Sequence, residues 1–259
     1  AHYKALKALE KETLAYELII KLVQECRRKH KMEGGKKLFI RLKDVINGIA
    51  KIGRDKFFKI LRDNGLLIKK KKSFTRTTDS NHPYWKYKNE IKDLKITRKN
   101  QVWVSDITYI RTMEGFRYLS LITDLYSRKI VGYKLSNSLS IEGCMEALKS
   151  ALKLREDKSE PLYHHSDRGI QYCCYEYTGL LQREGITISM TEVDHCYENA
   201  YAERVNGILK QEYGLDDTFN NEEQAMKAVK EAIWLYNSDR LHTSLDFKTP
   251  DSVYFTKVS

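Results

Sequence analysis

Val102-Trp103-Val104-Ser105-Asp106-Ile107-Thr108-Tyr109-Ile110 is a run of β-branched and aromatic residues with a single carboxylate at its centre. Such residues favour the packed, pleated surface of a strand. An unpaired acid inside one is costly, so Asp106 needs a reason to be there. Outward from this run, residues 116–122 and 130–135 read as two further strands. The connections at 113–115 and 126–129 are short, which favours antiparallel neighbours. The prediction is a three-stranded meander.

Downstream the period changes from two to 3.6. Ile141, Cys144, Met145, Leu148 and Leu152 mark a helix. A short strand at 162–165, a helix at 175–184 and a strand at 186–190 follow, and helices at 199–212 and 222–237 close the chain, the last with Met226, Val229, Ile233 and Tyr236 as its buried stripe. A meander followed by alternating helix and strand is the ribonuclease-H-like order, which predicts an α/β core on a mixed five-stranded sheet. The expected extent is 101–220 for this core and 221–259 for a helix and tail packed on it.

Upstream the chain reads as all-α. Residues 3–30 form one helix with a heptad-like stripe of Leu6, Leu9, Thr13, Tyr16, Ile20 and Val23, suited to packing on its own domain or to self-association (1–33). Gly34-Gly35 ends it. Leu38, Leu42, Val45 and Ile49 mark a second helix that Asn47-Gly48 can stop, and 54–64 a third that buries Phe57, Ile60 and Leu61, with Gly65 where a C′ glycine belongs. Two short helices and a turn over 34–68 form a helix-turn-helix pattern. Arg54, Lys56, Lys59 and Arg62 on its second helix suit groove entry and phosphate contact. Residues 69–100 read as a basic linker. It opens on Lys69, Lys70, Lys71 and Lys72, and Tyr84, Trp85 and Tyr87 interleave with Lys86 and Lys88. Those aromatics suit either stacking on bases or docking on the next domain.

Charge follows the same division. The chain of 259 residues carries 46 Lys and Arg against 35 Asp and Glu, a net +11. Residues 1–100 hold 28 basic and 11 acidic side chains, leaving 18 and 24 for the rest. A basic front on a mildly acidic back points to nucleic acid as partner. With 41% hydrophobic residues the chain can build a core, so wholesale disorder is unexpected. No apolar run reaches the roughly 18–20 residues of a membrane span and no apolar leader segment opens the chain, so no membrane association is expected. Five cysteines, an odd number, argue against a disulfide framework and for a reducing compartment.

Three acids stand apart by position. Asp106 lies within the first strand, Asp167 just after the strand at 162–165, and Glu203 on the helix at 199–212. In the predicted fold they converge at one end of the sheet. Carboxylates gathered so need counter-cations, and hard divalent ions with oxygen ligands fit. Two such ions would activate a nucleophile and stabilise a leaving oxygen in phosphodiester displacement.

The motifs run in order: Trp103-Val104-Ser105-Asp106-Ile107-Thr108-Tyr109, His165-Ser166-Asp167-Arg168-Gly169-Ile170-Gln171-Tyr172, Glu198-Asn199-Ala200-Tyr201-Ala202-Glu203-Arg204, Leu209-Lys210-Gln211-Glu212, and Leu241-His242-Thr243-Ser244-Leu245 with Thr249-Pro250. Between Asp167 and Glu203 lie 35 residues. With these motifs and this interval, the sequence over about residues 34–255 resembles the DDE insertion-sequence transposases of the second-frame type, whose core is like retroviral integrases. The resemblance implies Asp106, Asp167 and Glu203 as the catalytic and metal-binding triad for Mg²⁺, with Mn²⁺ able to substitute. It implies Asn206 and Lys210, on the face of Glu203, as DNA contacts. The implied activity is nicking of element ends and joining of their 3′-hydroxyls to target DNA. The implied partners are double-stranded DNA and further copies of the chain, in a homodimer or larger assembly within the cytoplasm of a prokaryotic cell, at the nucleoid. The competing readings are a structure-specific nuclease of the same fold and a DNA-binding regulator with an inactive core.

Other polar residues read more plainly. Asp124 ends the second strand and is expected to pair with Arg128. Asp194 and Glu198 read as loop or cap residues. Cys26 with His30, His164-His165, Cys173-Cys174 and His195-Cys196 lack the spacing of a zinc site.

Overall fold

A computed structural model of the protein describes residues 2–68, 82–192 and 199–256. They fall into two compact units, Ala1–Ser73 and Phe74–Ser259.

The first unit holds α1 (His2–Lys29), α2 (Gly35–Ile49) and α3 (Arg54–Asp63) around one core. Ile19 and Val23 of α1 meet Leu38, Leu42 and Ile46 of α2 and Phe57, Ile60 and Leu61 of α3. Removing these side chains from water is the main stabilising term, on the order of 1.5–3 kcal/mol each. The stripe of α1 is displaced from its expected line. Ala15, Ile19 and Val23 are buried, while Leu6 is exposed and Tyr16 and Ile20 are half-buried. The buried line Ala15, Ile19, Val23 shares only Val23 with the expected stripe, because the side of α1 that meets α2 and α3 decides which positions are covered. Asn47-Gly48 does not stop α2, because Leu42 and Ile46 anchor its last turns and Ala50 N–H closes on Ile46. Packing outweighs a propensity cost of roughly 1 kcal/mol. Gly65 behaves as expected. It is left-handed (φ 66°), its N–H bonds to Arg62 and that of Leu66 to Leu61, the paired closure of a Schellman end.

The second unit is a three-layer α/β fold. Strands β1 (Val102–Thr112), β2 (Gly115–Asp124), β3 (Ile130–Ser136), β4 (Tyr163–Ser166) and β5 (Thr187–Met190) lie in the order β3-β2-β1-β4-β5. The pairs β1–β2 and β2–β3 are antiparallel; β1–β4 and β4–β5 are parallel. The expected five strands gain a sixth, β6 (Thr218–Phe219), which pairs with Arg111 and Thr112 at the far end of β1. Two residues carry no alternation, so this strand left no mark in the sequence pattern.

As the central strand, β1 is covered on both sides. On one face α4 (Ile141–Leu154), α5 (Ile170–Cys173) and α6 (Tyr175–Arg183) bury Trp103 and Ile122. On the other, α7 (Ala200–Tyr213) and α8 (Glu222–Ser238) bury Ile110, Leu119 and Leu121. The final helix, α9 (Pro250–Tyr254), is capped by Thr249, whose hydroxyl accepts from Ser252 N–H at 3.2 Å.

The described end of the expected linker belongs to this unit. Tyr84 and Tyr87 pack on the Trp103 core, and Ile91, Leu94 and Ile96 cover Val102, Val104 and Leu125. Lys69, Lys70, Lys71 and Lys72 lie outside the described residues, as do Asp194, His195, Cys196 and Glu198. Among the described residues no helix is long and apolar enough to cross a membrane.

Candidate active site

Parallel pairing places the two aspartates. Val104 is level with His165 on strands that run about 4.8 Å apart, so Asp106, two residues on in β1, and Asp167, two residues on from His165, are carried to the same end of the sheet. Asp167 is one residue past β4, in a turn where Gly169 N–H donates to its Oδ1 at 3.0 Å.

Alternation turns Asp106 to the face that α7 covers, since Leu121 is its partner on β2. Ala202, Val205, Asn206 and Leu209 form the buried stripe of that helix. Two side-chain bonds fix it to β1: Asn199 Nδ2 donates to Ser105 O at 3.1 Å, and Asn206 Nδ2 to Asp106 Oδ2 at 2.7 Å. The other oxygen of Asp106 accepts from Ile107 N–H at 2.9 Å. Glu203 lies exposed on the same helix.

Burial, then the charge of Asp167 and more weakly that of Glu203, push the Asp106 carboxyl up to about 7; the bonds from Ile107 and Asn206 act the other way. Negative charge is thus concentrated around a half-buried acid. Lys210 is a cation whose charge is felt at Asp106. Its Nζ lies 4.2 Å from the centre of the Tyr109 ring, and burial lowers its pKa.

The oxygen-only donor set of three acids suits a hard divalent cation. As placed, however, no three of the His, Cys, Asp and Glu side chains among the described residues come together closely enough to hold a metal ion. The oxygens of Asp106 are engaged by Asn206 and Ile107, and Glu203 stands in solvent.

The remaining sequence candidates separate. On α3, Arg54, Lys59 and Arg62 are exposed, with Arg54 bonded to the adjacent Asp55. Lys56 is turned towards α1 instead, in a 2.7 Å ion pair with Glu12 and over the Tyr16 ring. Asp124 does not pair with Arg128. Its buried carboxylate accepts from Asn100 N–H (2.7 Å), Ser127 N–H (2.8 Å) and the Ser127 hydroxyl (2.6 Å), while the Arg128 guanidinium sits 4.5 Å from the Tyr201 ring centre. The pairing Trp103↔Asp124 also puts it on the opposite face from Asp106. His164 is buried, within 2.6 Å of Ser105 Oγ and 2.9 Å of Tyr177 Oη, and burial holds its ring down at about 3, so it is neutral at pH 7. The last motifs brace the site. Arg240 donates twice to Glu212, at 2.7 Å each, clamping the end of α8 to α7, and His242 meets the Tyr236 ring edge-on.

Residues 96–196 match the integrase core domain family, and residues 184–250 match a second family of the same description. The chain is 37% identical over 206 residues to a 31 kDa protein, itself uncharacterised, of insertion element IS600 from Shigella sonnei, covering 79% of this chain and 75% of that protein. The chain belongs to the insertion-sequence transposases with an integrase-type core. It is also 32% identical over 164 residues to the transposase of IS629 from Shigella sonnei (62% of this chain, 55% of that one) and 34% identical over 157 residues to the transposase of IS904 from Lactococcus lactis (60% and 62%). The transposase shares its fold with a chain of the simian T-cell lymphotropic virus intasome, solved with PP2A regulatory subunit B56 gamma. That match has a TM-score of 0.54 over 87% of this chain and 72% of that one, at 17% identity.

Proposed function

We propose that the transposase nicks the ends of an insertion sequence and joins the freed 3′-hydroxyls to target DNA, with Asp106, Asp167 and Glu203 holding Mg²⁺, or Mn²⁺ in its place. The reading rests on one observation: within the stretch that matches the two integrase core families, the charges of Asp167 and, more weakly, Glu203 act on a half-buried Asp106 and help push its carboxyl up to about 7. Divalent ions bound there supply Lewis acidity for the attacking and leaving oxygens of a phosphodiester.

The chain's own residues prepare this chemistry. Asn206 and Ile107 N–H orient the Asp106 carboxylate. The turn at Gly169 orients that of Asp167. Glu203, exposed on α7, completes the set by turning towards them. Lys210, steadied on Tyr109, offers a cation to the DNA backbone beside Asp106, and Asn206 lines the same helix face. Arg54, Lys59 and Arg62 on α3 and the run Lys69–Lys72 contact phosphates. Domain roles follow: α2 and α3 bind DNA, and the unit after residue 73 performs the transfer. Two element ends must be held together, so the working form is a homodimer or a larger assembly on double-stranded DNA, in the cytoplasm at the nucleoid.

End-labelled duplex incubated with Mg²⁺ tests the reading. Asp167→Asn and Glu203→Gln should each lower nicking and joining by about a thousandfold or more, since several kcal/mol of transition-state stabilisation is lost, while duplex binding persists. Unchanged turnover in either variant would overturn it. Cleaved but never joined products would instead identify a nuclease.

A further inference from the structure

The segment at 82–90 is fastened along the edge of the sheet beside the Asp167 turn. His82 Nε2 hydrogen-bonds Arg168 O at 2.7 Å, one residue from Asp167. Met190 N–H donates to Lys88 O at 3.1 Å, Glu90 N–H to Ser189 Oγ at 2.9 Å, and Gln182 Nε2 to Tyr87 Oη at 3.3 Å. The Tyr84 ring stands 5.7 Å from that of His82 and 5.5 Å, edge-on, from that of Tyr175.

This anchoring sorts the aromatics. Tyr84 and Tyr87 turn inward onto the Trp103 core. Trp85 is left 73% exposed and Tyr175, the first residue of α6, 76% exposed. Lys86 and Lys88 are exposed beside Trp85, and Arg168 sits on the turn that His82 holds, so positive charge exceeds that of Glu176 and Glu90 in the same segments. Two large aromatic faces left in water, on a pinned backbone among cations, mark a binding surface.

We propose that Trp85 and Tyr175 form a stacking platform for unpaired DNA bases next to the Asp167 turn, with Lys86 and Lys88 on the flanking phosphates. Base faces are hidden within a duplex stack, so an exposed indole and phenol, with Lys86 and Lys88 exposed in the same segment as the indole, select an unpaired strand. The proposal takes DNA as its ligand from the proposed function. It assigns a different segment and a different form of DNA: the strand that frays from the element end once it is nicked.

Binding of the full chain to an oligothymidine of about 20 nucleotides, to an abasic oligonucleotide of equal length and to a duplex separates stacking from charge. Trp85→Ala should weaken oligothymidine binding by about tenfold, Tyr175→Ala by a similar factor and Trp85→Phe by less, with abasic and duplex binding unchanged. Trp234→Ala, a change at another exposed indole, should alter none of the three. Equal affinity of the parent protein for oligothymidine and its abasic counterpart would overturn the platform. So would a Trp85→Ala protein that loses self-association while binding oligothymidine normally, which would make the patch an interface between copies. The doubly substituted Asp167→Asn, Glu203→Gln protein should bind oligothymidine like the parent, so failure of the catalytic assignment is read separately.

Discussion

Asp106 concentrates the conflict between folding and the chemistry proposed for it in one side chain. Its carboxyl lies at about 7, against an ordinary value near 4. Between those pH values the folded chain keeps a proton that the unfolded chain has released. Stability from this group is therefore present below about pH 4 and is lost as pH rises towards 7. Asn206 can serve both forms, because its Nδ2 donates to the carboxylate while its buried Oδ1 makes no hydrogen bond among the described residues and is free to accept from a protonated or amide side chain. In chelator, Asp106→Asn should therefore melt close to the parent at pH 5 and several degrees above it at pH 8. Thermal scans across that range check this; parallel curves would place the origin of the charge strain elsewhere. Adding Mg²⁺ at pH 8 should raise the melting temperature of the parent and not that of the variant.

At the scale of elements, close backbone approach decides as much as side-chain burial. Gly132 in β3 faces α4 so closely that an added Cβ would lie 2.1 Å from Ala147 O and 3.0 Å from Ala151. Because the obstacle is helix backbone, α4 must move as a body. Gly132→Ala should destabilise the protein by about 3 kcal/mol or more, the upper range for overpacking, measurable in urea, with a loss below 1 kcal/mol as the contrary result. An isolated glycine in a strand-like run signals a bulge or a close backbone approach, but it does not say which helix comes near. Gly65 was legible for the opposite reason, since it follows the last periodic residue of a helix, where a left-handed C′ residue is needed. The helices α2 and α4 and the meander were likewise plain, each carrying its own hydrophobic period.

For the whole molecule, the boundary matters more than the tally of domains. The charge step near residue 100 is not the structural step, which falls between Ser73 and Phe74. Residues 1–73 hold 21 basic and 8 acidic side chains, and 82–100 are packed into the second unit by Tyr84, Tyr87, Ile91, Leu94 and Ile96. Removing residues 1–73 should leave a cooperatively melting core whose duplex affinity falls less steeply with salt, the logarithmic slope dropping by about 0.9 for each phosphate the protein no longer neutralises. Removing 1–100 should also lower the melting temperature, because Val102, Val104 and Leu125 lose their cover. Equal melting of the two truncations would show that residues 82–100 add nothing to the core.

What is local and periodic was set by the order of residues alone: the strand around Asp106, the helix that carries Glu203, Asn206 and Lys210 on one face, and the interval from Asp167 to Glu203. Those features follow from side-chain alternation and helical pitch, which need no distant partner. Which polar groups face each other was settled by the folded chain and by nothing earlier. Folding sent Asp124 to the Asn100 and Ser127 amides, Lys56 to Glu12, and Asn206 to Asp106. It also turned Tyr84 and Tyr87 inward while leaving Trp85 in water. Such choices depend on strand register and on which backbone donors happen to be near, and a linear spacing does not encode either.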